Sequence, residues 1–468
     1  MKSPARPATA LAARLGAGQF LTIGLGAIMG VGWAVMLGDW LEAAAPLGAV
    51  LGFILGGVLM LPAAMCYAEL ATALPVAGGE VVYLGAVFGA NAAFMVGWFL
   101  VLMATAITGF EGISLAWFLD QLIPGIEGPV VYRLLGHAVH RGALLIGFLV
   151  TGAVTLVNVL GAEASARFQE VFTYIKIAAI ALFMGAALTF GSVGHLQPLL
   201  TPVAPRTALH GVLWIASTAS LWFAGFQVVP QAIEERGAAT SVRTVARMTV
   251  LALVLGVVFY CTVVLASALA VPWRALVAAP LPAAMAVHAV VRSDLLARLI
   301  LGAIVLGILA TWNSAFLWAS RLLLALGRQG SVPAVFARIG RFKSPAVAIA
   351  FVSAAGVVGI CLGRGGLVPI INMASISLTF SYVFACGAVL RLRRTQPALN
   401  RPYRVPGGRA TMRLAVLTTT AMALVSLFEP LARGHGVPPE WLLLLAWSAL
   451  GMAFLVISAR HRRKLGVS

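Results

Sequence analysis

The sequence predicts an all-α membrane protein of twelve transmembrane helices: two five-helix repeats of inverted topology, then two C-terminal helices. Three observations carry this. Apolar residues make up 61% of the 468 residues and charged residues only 10%, against about 45–50% and about 25% in soluble domains. The apolar residues form continuous runs of about twenty rather than an alternation, which selects helices over a β-barrel. Basic residues gather in alternate connections. So few charges cannot cover a water-facing surface of this size, which excludes a soluble enzyme, a disordered chain and a collagen-like fibre.

Residues 1–14 form a short basic segment. The apolar run after it is longer than a signal-peptide core, and no small-residue cleavage site follows at the right distance, so it reads as a retained first span. The first repeat, 15–190, holds spans at 15–38, 46–72, 91–121, 142–161 and 168–190. The second, 209–391, holds spans at 209–233, 245–270, 295–326, 345–362 and 367–391. Helices eleven and twelve take 412–429 and 441–459, and 460–468 is a tail. With the N-terminus inside, these crossings place 23 of the 32 Lys and Arg in cytoplasmic segments and 8 outside, with Lys176 within a span. That asymmetry predicts a multi-pass protein of the cell membrane with both termini cytoplasmic. Omitting one helix would scramble it. The net charge of +18 is thereby used in orientation; the bilayer is the expected surrounding, and no nucleic-acid partner is expected. The longest inside connection, Arg391 to Met412, holds Pro397, Pro402 and Pro406 and reads as an ordered turn region.

Cys66, Cys261, Cys361 and Cys386 lie in apolar runs without a CxxC pair, and read as small buried hydrophobes. His137 and His140 have HxxH spacing with no acidic or cysteine partner nearby, and read as a solvated loop. No metal, cofactor or catalytic residue is expected.

The most informative stretch is Ile23-Gly24-Leu25-Gly26-Ala27-Ile28-Met29-Gly30-Val31-Gly32-Trp33. Each glycine weakens a helix by about 1 kcal/mol against Ala. In lipid a freed backbone group must find a partner, and a ligand can be that partner. The N–H groups opening a half-helix favour a carboxylate; the carbonyls closing the previous one favour an ammonium. The same residues also read as a GxxxG packing face, Gly26 to Gly30. A dinucleotide loop is excluded, since no strand precedes the motif. The sixth span offers a counterpart in Ser220-Leu221-Trp222-Phe223-Ala224-Gly225-Phe226-Gln227-Val228-Val229-Pro230, where Gly and Pro interrupt an apolar helix. Interrupted segments at corresponding positions of two halves point to a transporter's central site.

Two ionisable residues stand inside spans. Lys176 lies about two turns into the fifth, which favours an ammonium bonding the exposed carbonyls of the first helix over one snorkelling to the interface. Glu111, deep in the third, reads equally as a group that binds a cation or proton and as a carboxylate bonded to helix ends near the mouth. Glu69, Glu80, Glu234 and Glu235 read as interfacial gate or anchor residues. Asp39 and Glu42 lie at the outer end of the first span and read as solvated. Trp33, Trp222, Phe223 and Phe226 cluster around the breaks as candidate gates, or as core.

These motifs resemble those of amino acid permeases in the amino acid–polyamine–organocation superfamily. Gly26-Ala27-Ile28-Met29-Gly30-Val31-Gly32 is similar to its glycine-rich first-helix motif, and Leu74-Pro75-Val76-Ala77-Gly78-Gly79-Glu80-Val81-Val82-Tyr83 to its first inside loop. Phe223-Ala224-Gly225-Phe226-Gln227 resembles its sixth-helix break. Ser320-Arg321, Gly327-Arg328-Gln329-Gly330-Ser331-Val332-Pro333 and Ser344-Pro345 resemble the segment after helix eight. Leu390-Arg391-Leu392-Arg393-Arg394 and Arg401-Pro402-Tyr403-Arg404-Val405-Pro406-Gly407 resemble the loop after helix ten. The resemblance implies a LeuT-like fold with alternating access. It implies that amides around Gly30, Val31 and Gly32 hold a substrate carboxylate and that the carbonyls of Ile28, Leu221 and Ala224 hold its ammonium. It places Lys176 where sodium binds in sodium-coupled cousins, with Asn313 or Ser314 completing that network. Three positions depart from the family pattern. Gln227 replaces an acid of some proton-linked relatives, so that proton site is absent. Val31 replaces a small polar residue. The Asn-Pro pattern after helix six is missing from Glu235-Arg236-Gly237-Ala238-Ala239.

The expected function is a sodium-independent secondary transporter of amino acids, coupled to protons or working by exchange. The alternatives are an amine or polyamine transporter of the same fold, in which Glu111 matters more, and a non-transporting membrane partner subunit.

Overall fold

In a computed structural model the chain is described over residues 15–464, apart from 31, 76–78, 161, 201–206, 234–235, 238, 343 and 434–435. The described residues are almost entirely helical, and nine of their helices are long and apolar enough to cross a membrane.

Helix α1 (Ala17–Ile28) stops at the glycine-rich stretch and α2 (Gly32–Ala73) begins just beyond it. α2 turns sharply at Ala45 (φ 57°, ψ 173°). Pro46 excludes the α region for the residue before it, so the corner falls in the predicted gap between the first two windows. The conformation costs a non-glycine residue about 1–3 kcal/mol and is held by full burial of Ala44, Ala45 and Trp40.

There follow α3 (Gly79–Phe88), α4 (Ala90–Leu122), an antiparallel hairpin of β1 (Val130–Leu134) and β2 (His137–His140), α5 (Arg141–Leu160) and α6 (Ala162–Phe190). Next come α7 (Ala208–Trp222) and α8 (Val228–Gln231), divided at the predicted second break, then α9 (Val242–Ala270). Short α10 (Trp273–Ala278) and α11 (Pro282–Val291) lead to α12 (Asp294–Arg328), α13 (Ala346–Ile360), α14 (Leu367–Thr395), α15 (Gly408–Phe428) and α16 (Pro439–Lys464). The long helices occupy the predicted apolar windows. Helices α3, α10 and α11 and the hairpin fall between those windows, where a search for twenty-residue runs has no signal. His137 and His140 lie in β2, and His140 Nδ1 bonds the Gly128 carbonyl at 2.8 Å.

Two helix layers flank the breaks. α2 runs along α7 and α9, and α4 runs along α12 and α14. Small residues permit the close approach, as expected where lipid supplies no hydrophobic drive. A Cβ on Gly56 would stand 2.4 Å from that of Ala219, and one on Gly109 3.0 Å from Gly359 Cα. α16 is fastened to α4 by reciprocal bonds, Trp98 Nε1 to Trp447 O (2.9 Å) and Trp447 Nε1 to Trp98 O (3.0 Å).

The α14–α15 connection is clamped to the end of α2. Buried Glu69 accepts from Arg393 Nε at 2.8 Å, from Arg393 Nη2 at 2.5 Å and from the Val405 amide at 2.7 Å. Arg401 Nε lies 3.6 Å away, and Arg243 Nε donates to the Pro402 carbonyl at 2.7 Å. Of the two roles predicted for Glu69, these contacts are those of an anchor. Breaking a buried, multiply bonded pair from one side costs about 3 kcal/mol or more. Glu69→Ala is therefore expected to lower the thermal midpoint in detergent by several degrees; an unchanged midpoint would show that the clamp contributes nothing.

Candidate functional site

α1 ends in a three-residue turn: Met29 N donates to Leu25 O and Gly30 N to Ile28 O, both at 2.8 Å. The helical direction resumes at Gly32. Facing this, α7 ends at Trp222. Phe223 N donates to Ala219 O at 2.9 Å, Ala224 N to Leu221 O at 3.0 Å and Val228 N to Gly225 O at 3.0 Å. Gly225, at φ +155°, is the point of contact between the two breaks: a Cβ there would stand 2.7 Å from Gly24 O and 2.8 Å from Ile28 N. Gln227 Oε1 accepts from the Gly225 amide (3.0 Å) and from the Tyr382 hydroxyl (3.2 Å), and so braces the turn from its own chain and from α14.

Beside the breaks lies a partly open cavity. Ala27, Ile28, Gly30 and Gly32 line it from the first break, and Leu221, Trp222 and Ala224 from the second. Ile107, Phe110, Ile370 and Ile371 give it apolar walls. Its side-chain polar groups are Glu111 on α4, Tyr260 on α9 and Thr311 on α12. Glu111 is 2% exposed and its Oε2 has no hydrogen-bond partner, an unusual condition for a buried carboxylate oxygen. Lys176 on α6, 1% exposed, donates from Nζ to Gly26 O at 3.3 Å. Its stem runs past Gly307, where a Cβ would come within 2.6 Å of Lys176 Cδ. The Lys176 and Glu111 charges act on each other at longer range than an ion pair.

The predicted site residues divide into three groups. Ile28, Gly30, Gly32, Leu221, Trp222, Ala224 and Glu111 line the cavity, and Gly225 joins the breaks behind it. Five others face elsewhere: Gln227, nominated as a substrate ligand, is turned onto the Gly225 amide and the Tyr382 hydroxyl. Phe223 packs on Phe53 and Tyr260, Phe226 on Tyr67 and Tyr382, and Trp33 stacks on Phe183 with ring centroids 5.7 Å apart. Ser314 lies half-buried on α12 outside the lining, where Thr311, one turn earlier, takes its place. Asn313 accepts from Asn158 Nδ2 at 2.8 Å. Val31, Glu234 and Glu235 lie outside the described residues.

Tyr260 was not singled out from the sequence. Its hydroxyl donates to Ile28 O at 3.1 Å, so that carbonyl, expected to hold an ammonium, already accepts from Tyr260 and from Gly30 N. A tyrosine in the apolar run Phe259-Tyr260-Cys261 carries no mark of this. Only the pairing of α9 with α1 reveals it.

Two interrupted helices around a mostly apolar cavity with few polar groups define a multi-pass membrane transporter rather than an enzyme. Comparison with known proteins makes the assignment specific: residues 17–454 match the amino acid permease family, and the chain belongs to it. It is 25% identical to the branched-chain amino acid permease BcaP of Bacillus subtilis, over 96% of this chain and 94% of that one. It is 26% identical to the methylthioribose transporter of Bacillus subtilis, with 96% and 94% covered. It is also 26% identical to the human Asc-type amino acid transporter 1, with 92% and 80% covered.

Proposed function

We propose that this chain is a secondary active transporter that moves an amino acid across the cytoplasmic membrane by alternating access, sodium-independent, with protons or exchange supplying the coupling. In this reading twelve helices cross the membrane as a LeuT-like five-plus-five repeat with two additional helices, and both termini are cytoplasmic. The observation that carries the reading is the meeting of two broken helices, through Gly225, at the wall of a cavity lined by a buried carboxylate, Glu111, whose Oε2 has no hydrogen-bond partner. The amide at Gly32 would take the substrate carboxylate, since the Gly30 amide already bonds Ile28 O. Its ammonium would go to the carbonyls of Leu221 and Ala224, and to Ile28 O in place of the Tyr260 hydroxyl. The apolar walls would take its side chain. Lys176 would fill the place of a sodium ion against Gly26 O.

A second reading, an amine or polyamine as cargo, is favoured by Glu111, which would pair with a cation directly. A thermal-shift panel separates the two. Amino acids are expected to raise the midpoint of the purified protein, while the matching decarboxylated amines leave it unchanged. Stabilisation by the amines alone would replace the first reading with the second.

A further inference from the structure

A cluster of buried polar side chains, separate from the substrate cavity, lies where α3, too short to cross a membrane, meets α8. Glu80, in the first turn of α3, is 1% exposed. Its Oε2 accepts from Gln231 Nε2 of α8 at 2.9 Å. Gly79, at φ +55°, brings the chain against the Gln231 side chain: a Cβ there would stand 2.9 Å from Gln231 Cγ. Three polar atoms in the cluster are buried without hydrogen-bond partners, namely Glu80 Oε1, the Tyr67 hydroxyl and the Ser381 hydroxyl. Tyr67 stands next to both Glu80 and Ser381.

No cation faces Glu80 among the described residues that act on it. α2 presents Tyr67, with Cys66 beyond it. α14 presents Tyr382, Cys386 and the Ser381 hydroxyl. α8 presents Gln231. α4 has no titratable residue before Glu111. A buried carboxylate with no cationic partner is costly, whereas a carboxylic acid fits this cluster well. A proton taken from water onto Oε1 turns that oxygen into a donor for the Tyr67 oxygen, while Oε2 keeps its bond from Gln231. Losing the proton leaves a buried charge held only by neutral donors, Gln231 Nε2, the Tyr67 hydroxyl and the Glu80 amide, and entering water solvates it better.

We propose that Glu80 is a positioning residue that holds α8, the second half of the broken span, against α3 while protonated and lets the two part when it gives its proton to water. This rests on the transporter reading, in which parting of α8 from α3 opens one face of the site. Burial pushes the Glu80 carboxyl up to about 6 from the usual 4.5. The closed contact therefore binds the proton more tightly than a solvated carboxyl does. Its stability is full at low pH and falls as pH rises through about 6. The ratio of the two proton affinities limits the effect to about thirtyfold in the opening equilibrium.

The test is hydrogen–deuterium exchange of the full chain in lipid nanodiscs at pH 5 and pH 8, corrected for intrinsic exchange rates. In the wild type, opening of the peptides covering 79–88 and 226–233 is expected to rise by about eightfold at the higher pH. Glu80→Gln, always neutral and still able to accept from Gln231, is expected to stay closed at both. Equal wild-type opening at the two pH values overturns the proposal, as does a wild-type rise retained in Glu80→Gln. The wild-type series needs no variant, so misfolding of Glu80→Gln leaves it decisive. A chain that amino acids stabilise but whose α3 and α8 peptides ignore pH overturns the latch and leaves the transport reading standing.

Discussion

Gly225→Ala is expected to lower amino acid affinity and uptake by at least about fivefold. The added methyl would meet Gly24 O at 2.7 Å and Ile28 N at 2.8 Å, and both are backbone atoms that no rotamer change can move. Overpacking of this kind costs about 1–3 kcal/mol, and each 1.4 kcal/mol of lost binding energy is tenfold in affinity. The strain also falls on the amides and carbonyls expected to hold the substrate. Titrating the amino acid by thermal shift and measuring uptake in liposomes checks the result. Gly302→Ala is the control, because a Cβ at Gly302 meets nothing within 4 Å. Wild-type affinity in Gly225→Ala would mean that the breaks do not need their close contact.

The second large effect belongs to Lys176. Removing its ammonium takes away the bond to Gly26 O and, among the described residues, the cation that acts on Glu111. Lys176→Met keeps an unbranched stem beside Gly307 while deleting the charge, so it isolates electrostatics from packing. Uptake by Lys176→Met is expected to fall at least about tenfold, and what remains is expected to lose its pH dependence. Uptake at the wild-type level with the wild-type pH profile would remove Lys176 from the coupling step.

Much of the fold was legible because lipid imposes a single rule: a backbone that cannot reach water must hydrogen-bond to itself. That rule writes each long helix into the sequence as an apolar run, and α4 and α9 lie within a few residues of their windows. The breaks were legible because four glycines between Gly24 and Gly32, and Gly225 before Pro230, contradict that rule. What stayed hidden depends on which helices become neighbours. Phe223 and Trp222 are adjacent in a broken helix, yet Trp222 lines the cavity and Phe223 packs on Phe53. Composition cannot tell them apart, because the local turn sets their directions. Tyr260 reaches Ile28 across a separation of 232 residues, and Glu69 meets Arg393 across 324. Glu69 and Glu80 looked alike as acids flanking one loop. Two arginines pair with the first and, among the described residues, no cation acts on the second.

The corner at Ala45 has a mechanical consequence. The stretch from Gly32 onward passes into the next crossing with no slack between them, so those two segments tilt as one rigid bracket. Any independent swing of the first crossing must then pivot at Met29 and Gly30, just past α1, and the moving lever is the twelve-residue α1 alone.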